Sequence, residues 1–215
     1  MHVPDGFLGP QTWLPATGAA AVGWAWASRH ARTSLKAEHV PSLGVVTAAC
    51  FGLMLVTIPL PGGTSIHITG IGLLALRFGV ATSYLAITLV LTLHALLLGD
   101  GGLTTMPLTS LALGLAGASA VVAVHRLGRR FAGSYAPGVA AFAGVVIAAT
   151  IMAVALGLQP LLAHDPQGAP LYFPFGLKTT LPAVVLPHLI VGLLEGTLTV
   201  TALRALGDDA VGGRP

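Results

Sequence analysis

Residues 137–158 read PGVAAFAGVVIAATIMAVALGL and contain no charged side chain. A helix that crosses the hydrocarbon core of a bilayer needs about 20 predominantly apolar residues, and this stretch meets that requirement. Further apolar stretches precede and follow it, separated by short polar or glycine-rich segments. The sequence therefore predicts an all-α integral membrane protein.

The composition supports the same class. Hydrophobic residues make up 54% of the chain and charged residues only 8%, whereas soluble domains carry about 25% charged residues. The net charge of +3 does not indicate nucleic-acid binding, because the basic residues are spread over short loops without a clustered face or aromatic platforms. The single cysteine, Cys50, excludes a disulfide framework within the chain.

Working outward from residues 137–158, we predict a single membrane domain, 1–215, with a bundle of about seven transmembrane helices. Residues 1–12 contain two prolines and two glycines, so we expect no helix of any length there and a segment that packs back into the bundle. The predicted spans are 13–28, 42–60, 66–78, 81–98, 103–124, 137–158 and 181–206.

Basic residues set the predicted orientation. Arg29, Arg32 and Lys36 follow the first span, and a second basic cluster, 125–130, follows the fifth. The positive-inside rule places both in the cytoplasm, with the N-terminus outside and the C-terminus inside. Residues 66–78 must then cross despite their short length, because His67 lies outside and the 125–130 loop inside.

The amino end has the chemistry of a metal chelate. We expect Met1 to be retained, since histidine at position 2 is large, and we see no cleavable signal peptide. The terminal amine, the amide nitrogen of His2 and the imidazole Nδ1 of His2 can then close two adjacent chelate rings. One further imidazole would complete a planar set of four nitrogens, which favours Ni(II) or Cu(II) and can hold Co(II).

Four stretches carry a family resemblance: MHVPDGFL at 1–8, GGTSIHITG at 62–70, LLLGDGGLTT at 96–105 and EGTLT at 195–199. They occur in the order found in the CbiM/NikM family and cover most of the chain. The sequence resembles the membrane-embedded substrate-binding components of energy-coupling-factor transporters for cobalt and nickel. This resemblance implies a transporter component of a prokaryotic cytoplasmic (inner) membrane.

The resemblance implies Met1, His2 and His67 as the metal ligands, with His67 supplying the fourth nitrogen. His94 stands where we would expect a glutamine in the family. It either orients a ligand imidazole or makes one hydrogen bond between helices. Asp5 and Asp100 can attract the ion, hydrogen-bond a ligand or cap a turn.

The last span contains His188 and Glu195. They lie on one helix face, but two helical turns separate them, so they cannot chelate one ion together. We expect Glu195 to make an interior structural contact or to support the ligands. A proton relay through the same pair is the alternative.

The resemblance also implies partners: a transmembrane coupling protein, a pair of ATP-binding cassette ATPases and a small accessory membrane protein of the CbiN/NikN type. The chain contains no Walker A motif, so ATP hydrolysis is expected only in partner subunits. It contains neither His-Glu-x-x-His nor Gly-x-Ser-x-Gly, so we do not expect an enzyme. The rival function is a proton-coupled secondary metal transporter that uses His94, His188 and Glu195.

No cofactor is expected beyond the transported ion, Ni2+ or Co2+. The 62–70 loop lacks the cysteine that we associate with cobalt members of the family, and a planar site with a deprotonated amide suits Ni(II) best. Binding must release protons from the amine and the amide, so we expect it to weaken as pH falls.

Overall fold

The computed structural model describes residues 2–60 and 65–206. Met1, residues 61–64, which include the first three of the 62–70 motif, and the tail after Leu206, with its two aspartates, lie outside the described residues. The described part contains eight α-helices and one hairpin of two short strands: α1 Pro10–Ser34, α2 Val40–Met54, β1 Ile58–Pro59, β2 Ser65–Ile66, α3 Ile71–Leu93, α4 Met106–Thr109, α5 Ala118–Ala132, α6 Ala136–Gly157, α7 Gln159–Leu162 and α8 Leu177–Leu206.

The architecture is that of an α-helical membrane protein. Four apolar helical stretches are long enough to cross a bilayer by length and composition: Ala37–Met54, Ile71–Leu98, Met106–Leu162 and Leu177–Leu206. The stretch 106–162 is not one rod, since a 3-10 turn at Gly133–Tyr135 separates α5 from α6 and the two helices pack against each other. The number of membrane crossings stays a prediction.

Gly79 divides α3. Its φ of 76° and ψ of 174° are non-helical, a conformation open to glycine. A straight helix of 23 residues would be about 34 Å long. His67 before α3 and His94 after it nevertheless lie beside the same residue, His2. The chain therefore turns back at Gly79, between the stretches predicted as spans 66–78 and 81–98.

Several helix ends differ from the predicted bounds. α1 begins at Pro10, inside the segment predicted to be non-helical, because proline is favoured in the first turn of a helix. α2 ends at Met54 rather than near residue 60, and α3 begins at Ile71 rather than 66. The predicted loop 159–180 contains α7 and the first turn of α8.

The basic cluster 125–130 is not a loop. It lies within α5, which continues from α4 through a π-helical segment at Ser110–Gly117 and ends at Ala132. Long basic side chains can extend from a helix to the polar region while their stems stay in apolar surroundings, so a hydropathy pattern ends the helix too early there.

Close contacts between glycines hold the bundle together. A Cβ on Gly196 of α8 would lie 2.7 Å from the carbonyl oxygen of Gly138 on α6, and one on Gly144 of α6 would lie 2.9 Å from that of Gly117. Small residues allow such approach between helices where lipid gives no hydrophobic driving force. The packing of α6 on α8 fixes the position of Glu195, which matters for the site below.

Candidate metal centre

Three histidines meet inside the bundle. The ring of His2 lies 4.5 Å from that of His67 and 5.1 Å from that of His94, measured between centroids. The exposed fractions are 5% for His2, 3% for His67 and 0% for His94. A cluster of buried imidazoles brought together from three distant parts of the sequence is a candidate metal centre.

The N-terminal segment, residues 2–9, carries His2 into the bundle through backbone anchors. The amide of Gly102 donates to the carbonyl of Val3 at 2.8 Å, and the hydroxyl of Thr105 donates to the same carbonyl. The amide of Gly9 donates to the side-chain oxygen of Gln159 at 2.8 Å. The predicted packing of this segment into the bundle is therefore observed from His2 onward.

Asp5 anchors the same segment. Its carboxylate accepts hydrogen bonds from the amides of Leu103 at 3.1 Å and Thr104 at 2.8 Å, and from the Thr104 hydroxyl. Partial burial raises the pKa of Asp5, but the hydrogen bonds from Thr104 and Leu103 outweigh it and lower the pKa below its usual value. Asp5 thus binds the turn before α4, which is the capping alternative of the sequence analysis.

The glycines of the turn at residues 99–102, the GDGG turn, make room for this segment. Gly101 has a φ of 88°, and a Cβ there would lie 3.1 Å from Cδ2 of His2. A Cβ on Gly102 would collide with the backbone nitrogen and the carboxylate of Asp5. Any larger residue at these positions would push the N-terminal segment out of its place.

Asp100 closes one side of the centre. Its Oδ2 lies 3.0 Å from Nδ1 of His2 and 3.7 Å from Nδ1 of His94. A ring nitrogen lone pair and a carboxylate oxygen at such distances need a proton or a cation between them. The ligand atoms of His2, His94 and Asp100 all lie within 4.8 Å of one another, so these three residues can hold a metal ion.

The tautomer of His94 is set by the α2 backbone. Nε2 of His94 lies 3.1 Å from the carbonyl oxygen of Phe51, and a carbonyl only accepts, so Nε2 carries the hydrogen. In the neutral ring this leaves Nδ1 as an acceptor facing Asp100. His94 therefore makes the hydrogen bond between helices that we expected, and it also offers a ligand nitrogen that the sequence did not predict.

Burial keeps the two other imidazoles neutral. It lowers the pKa of His2 to about 2 and holds the pKa of His67 well below its usual value, because the charged form loses its hydration. Neutral imidazoles present free lone pairs, which is the state a metal ion requires.

Glu195 lies behind the His67 loop rather than in the centre. Its carboxylate accepts hydrogen bonds from the amide of Thr69 at 2.8 Å, the hydroxyl of Thr69 at 3.2 Å and the amide of Gly72 at 3.4 Å. It therefore supports the segment that carries His67.

Sequence reasoning missed three anchors: Gln159, Thr105 and Thr69. All are buried polar residues. Gln159 and Thr105 bind backbone groups of the N-terminal segment, and Thr69 binds the side chain of Glu195, so every one of these partners is far away in the sequence. A polar side chain next to an apolar stretch was the available signal, but Gln159 falls between two predicted spans.

Comparison with known proteins decides the family. A family model described as the cobalt uptake substrate-specific transmembrane region, CbiM, matches residues 2–209. The chain belongs to the CbiM family. The resemblance seen in the sequence is confirmed, and the description of the family as a transmembrane region agrees with the long apolar helices of this fold.

CbiM relatives cover nearly the whole chain. A fused nickel transport protein NikMN of Rhodobacter capsulatus is 38% identical over 206 residues, which cover 93% of this chain and 59% of that protein. A probable fused nickel transport protein LarMN of Lactiplantibacillus plantarum is 37% identical over 208 residues, which cover 95% of this chain and 63% of that protein. This chain thus spans about three fifths of the length of these two relatives.

Two further comparisons match nearly the full length of both proteins compared. The cobalt transport protein CbiM of Sorangium cellulosum is 32% identical over 216 residues, covering 96% of this chain and 91% of that protein. The crystal structure of a truncated transition metal transporter matches with a TM-score of 0.92 and 32% identity, covering 96% of this chain and 98% of the other.

Proposed function

We propose that this CbiM-family chain captures Ni2+ or Co2+ on the outer side of the membrane and delivers it to an ATP-driven importer of the energy-coupling-factor type. The observation that carries the proposal is the convergence of His2, His67 and His94 at a buried point, with the Asp100 carboxylate beside them. Neutral buried imidazoles next to one carboxylate suit a divalent transition-metal ion.

The ligand set that we propose is a plane of four nitrogens. Met1 contributes its amine, His2 its amide and Nδ1, and His67 an imidazole nitrogen. The proximity of the His2 and His67 rings supports this set. Because Met1 and His2 are neighbours in the sequence, their amine and amide can close chelate rings with Nδ1. Loss of the amide proton also reduces the charge that the ion brings into a low-dielectric bundle.

Asp100 and His94 form the wall of the site in this proposal. The Nδ1 atom that the chelate needs is the one within 3.0 Å of Asp100. One nitrogen cannot hold a proton and a metal ion together, so ion binding must break that contact. His2, His94 and Asp100 could themselves hold an ion, which makes them the second ligand set to test.

The proposed topology has seven crossings, with the N-terminus outside and the C-terminus in the cytoplasm. The fold supports it in one respect, because the turn at Gly79 returns α3 to the side of His67. The fused relatives, named NikMN and LarMN, support an accessory N-type partner. A coupling protein and ATP-binding cassette ATPases complete the proposed importer. Nickel is our preferred substrate, because a planar amidate site suits Ni(II).

The alternative, a proton-coupled transporter, finds little support in the contacts of its residues. Nδ1 of His188 hydrogen-bonds the carbonyl of Val184 in its own helix at 2.7 Å. The described hydrogen bonds of Glu195 go to Thr69 and Gly72. Uptake by the isolated chain driven by a proton gradient would favour this alternative.

Metal content tests the proposal directly. The native protein is compared with a version that carries one extra residue before Met1, which leaves every side chain in place but moves the amine away from His2. We expect stoichiometric nickel or cobalt in the native protein and none in the extended one. Equal binding by both would exclude the amine as a ligand and would favour the His2, His94 and Asp100 set.

A further inference from the structure

Glu195 is a carboxylate in the middle of α8 with an exposed fraction of 0%. An ionisable group inside a membrane bundle is costly to bury, so its contacts indicate what it does. Within the described part of the chain, its hydrogen bonds come from residues 69–72, and none of these donors carries a formal charge.

Those donors lie at and just before the start of α3. The first amides of a helix have no partner within the helix and carry a partial positive charge. Glu195 accepts from one such amide, that of Gly72, and from the amide and hydroxyl of Thr69, which precedes the N-cap Gly70. The amide of Ile71 donates to that same hydroxyl at 3.2 Å. A residue 126 positions away thus caps α3.

The capped turn is held on its other sides as well. A side chain at Gly72 would collide with Thr199 of α8 and Ala141 of α6. A Cβ on Gly70 would lie 2.5 Å from Sγ of Cys50 on α2. The turn is therefore fixed against three helices, and Glu195 supplies its polar contacts.

We propose that Glu195 is a positioning residue for the metal site: it fixes the turn at residues 69–72 and thereby sets where the imidazole of His67 stands. Only Ile68 separates His67 from Thr69, so the cap and the ligand belong to one short segment. This inference rests on the proposed role of His67 as a ligand. It links α8 to the metal centre through the 69–72 turn. Neither the proposed chelate nor the side of the site formed by His94 and Asp100 includes this link.

The test uses Glu195→Gln in the full chain, purified in detergent with the native amino end. Glutamine keeps the size of the side chain but replaces one acceptor oxygen by a donor that faces the amides of α3. Thr197→Val on the same helix is the matched control, since Thr197 is exposed and its hydroxyl donates to the carbonyl of Leu193 within α8. Nickel affinity is measured by competition with a soluble chelator, and the visible absorption of bound Ni(II) reports its geometry.

We expect nickel affinity to fall about 10- to 100-fold in Glu195→Gln, the range found for groups that support a metal ligand, and the absorption bands to shift. Thr197→Val should change neither. A loss of thermal stability with an unaltered spectrum and affinity would overturn the inference, because it would assign Glu195 to the fold alone.

His67→Ala separates this inference from the proposed function. If His67→Ala loses nickel binding and Glu195→Gln does not, the chelate stands and the role of Glu195 is refuted. If His67→Ala binds nickel normally, the proposed function itself fails. If Glu195→Gln does not fold, Thr69→Val takes its place, since it removes the hydroxyl donor and keeps the backbone amide. A smaller shift of the absorption bands in the same direction is then expected. An unshifted spectrum would refute the inference.

Discussion

The segment that brings His2 into the site and the segment that brings His67 there are anchored in opposite ways. Residues 2–9 make hydrogen bonds at three separate places: the 102–105 turn, Gln159 and Phe173. Asp5, the charged member of this set, is exposed. The 69–72 turn beside His67 packs closely against three helices, but its side-chain hydrogen bonds to another helix go to one fully buried carboxylate of α8.

This difference has an energetic consequence. Several hydrogen bonds, each contributing about 1 kcal/mol, together stabilise the N-terminal segment, and water can replace the exposed ones. The buried cap of the His67 turn has no water to replace it, so its loss leaves unpaired amides at full cost. Substitutions should therefore have graded effects at residues 2–9 and a concentrated effect at Glu195.

The largest effect should come from the ligands themselves. His2→Ala removes the imidazole that completes the chelate with the amine and the amide. We expect bound nickel to fall from a stoichiometric amount to none. His67→Ala leaves three nitrogens on one peptide segment, so weak residual binding should remain. Elemental mass spectrometry and chelator competition measure both, with the exposed His164→Ala as control. Stronger residual binding in His2→Ala than in His67→Ala would contradict the proposed ligand set.

The next effect concerns the room that the GDGG turn leaves for the N-terminal segment. Gly102→Ala places a methyl group against the backbone of Asp5. Overpacking of this kind costs about 1–3 kcal/mol, which corresponds to roughly a 5- to 150-fold loss of nickel affinity. Gly18→Ala on α1 is the control, because a Cβ there meets nothing within 4 Å. Equal affinities of the two variants would show that His2 does not depend on this turn.

Sequence patterns predicted the membrane class and the turn between 78 and 81, because both depend on local composition or on the order of apolar stretches. The pairing of His67 with His2 was implied by the family resemblance, and their rings lie close together. The contact of Glu195 with Thr69 could not be predicted, since it joins residues 126 positions apart through backbone amides that every sequence contains. The ligand nitrogen of His94 was missed for a similar reason: the Phe51 carbonyl that sets its tautomer leaves no mark in the sequence.

A smaller effect is expected from Asp5→Ala. The amides of Leu103 and Thr104 are exposed with Asp5, so water takes the place of the carboxylate. The expected cost is about 1 kcal/mol, or roughly a fivefold loss of nickel affinity, measured by chelator competition against Asp165→Ala, whose carboxylate caps a distant turn. A loss as large as that of Glu195→Gln would remove the distinction between the two segments.

The smallest effect on the metal should accompany Gln159→Leu. Leucine leaves the amide of Gly9 without its acceptor in a buried place, which costs about 1–3 kcal/mol of stability. The bonds at Val3 and Asp5 lie between Gly9 and His2, so the imidazole should keep its position. We expect a lower thermal midpoint with nickel affinity almost unchanged, and no change for the exposed Gln167→Leu. If nickel affinity falls as far as in Gly102→Ala, then residues 2–9 move as one cooperative unit, and the contrast with the His67 segment lies in burial alone rather than in the number of anchors.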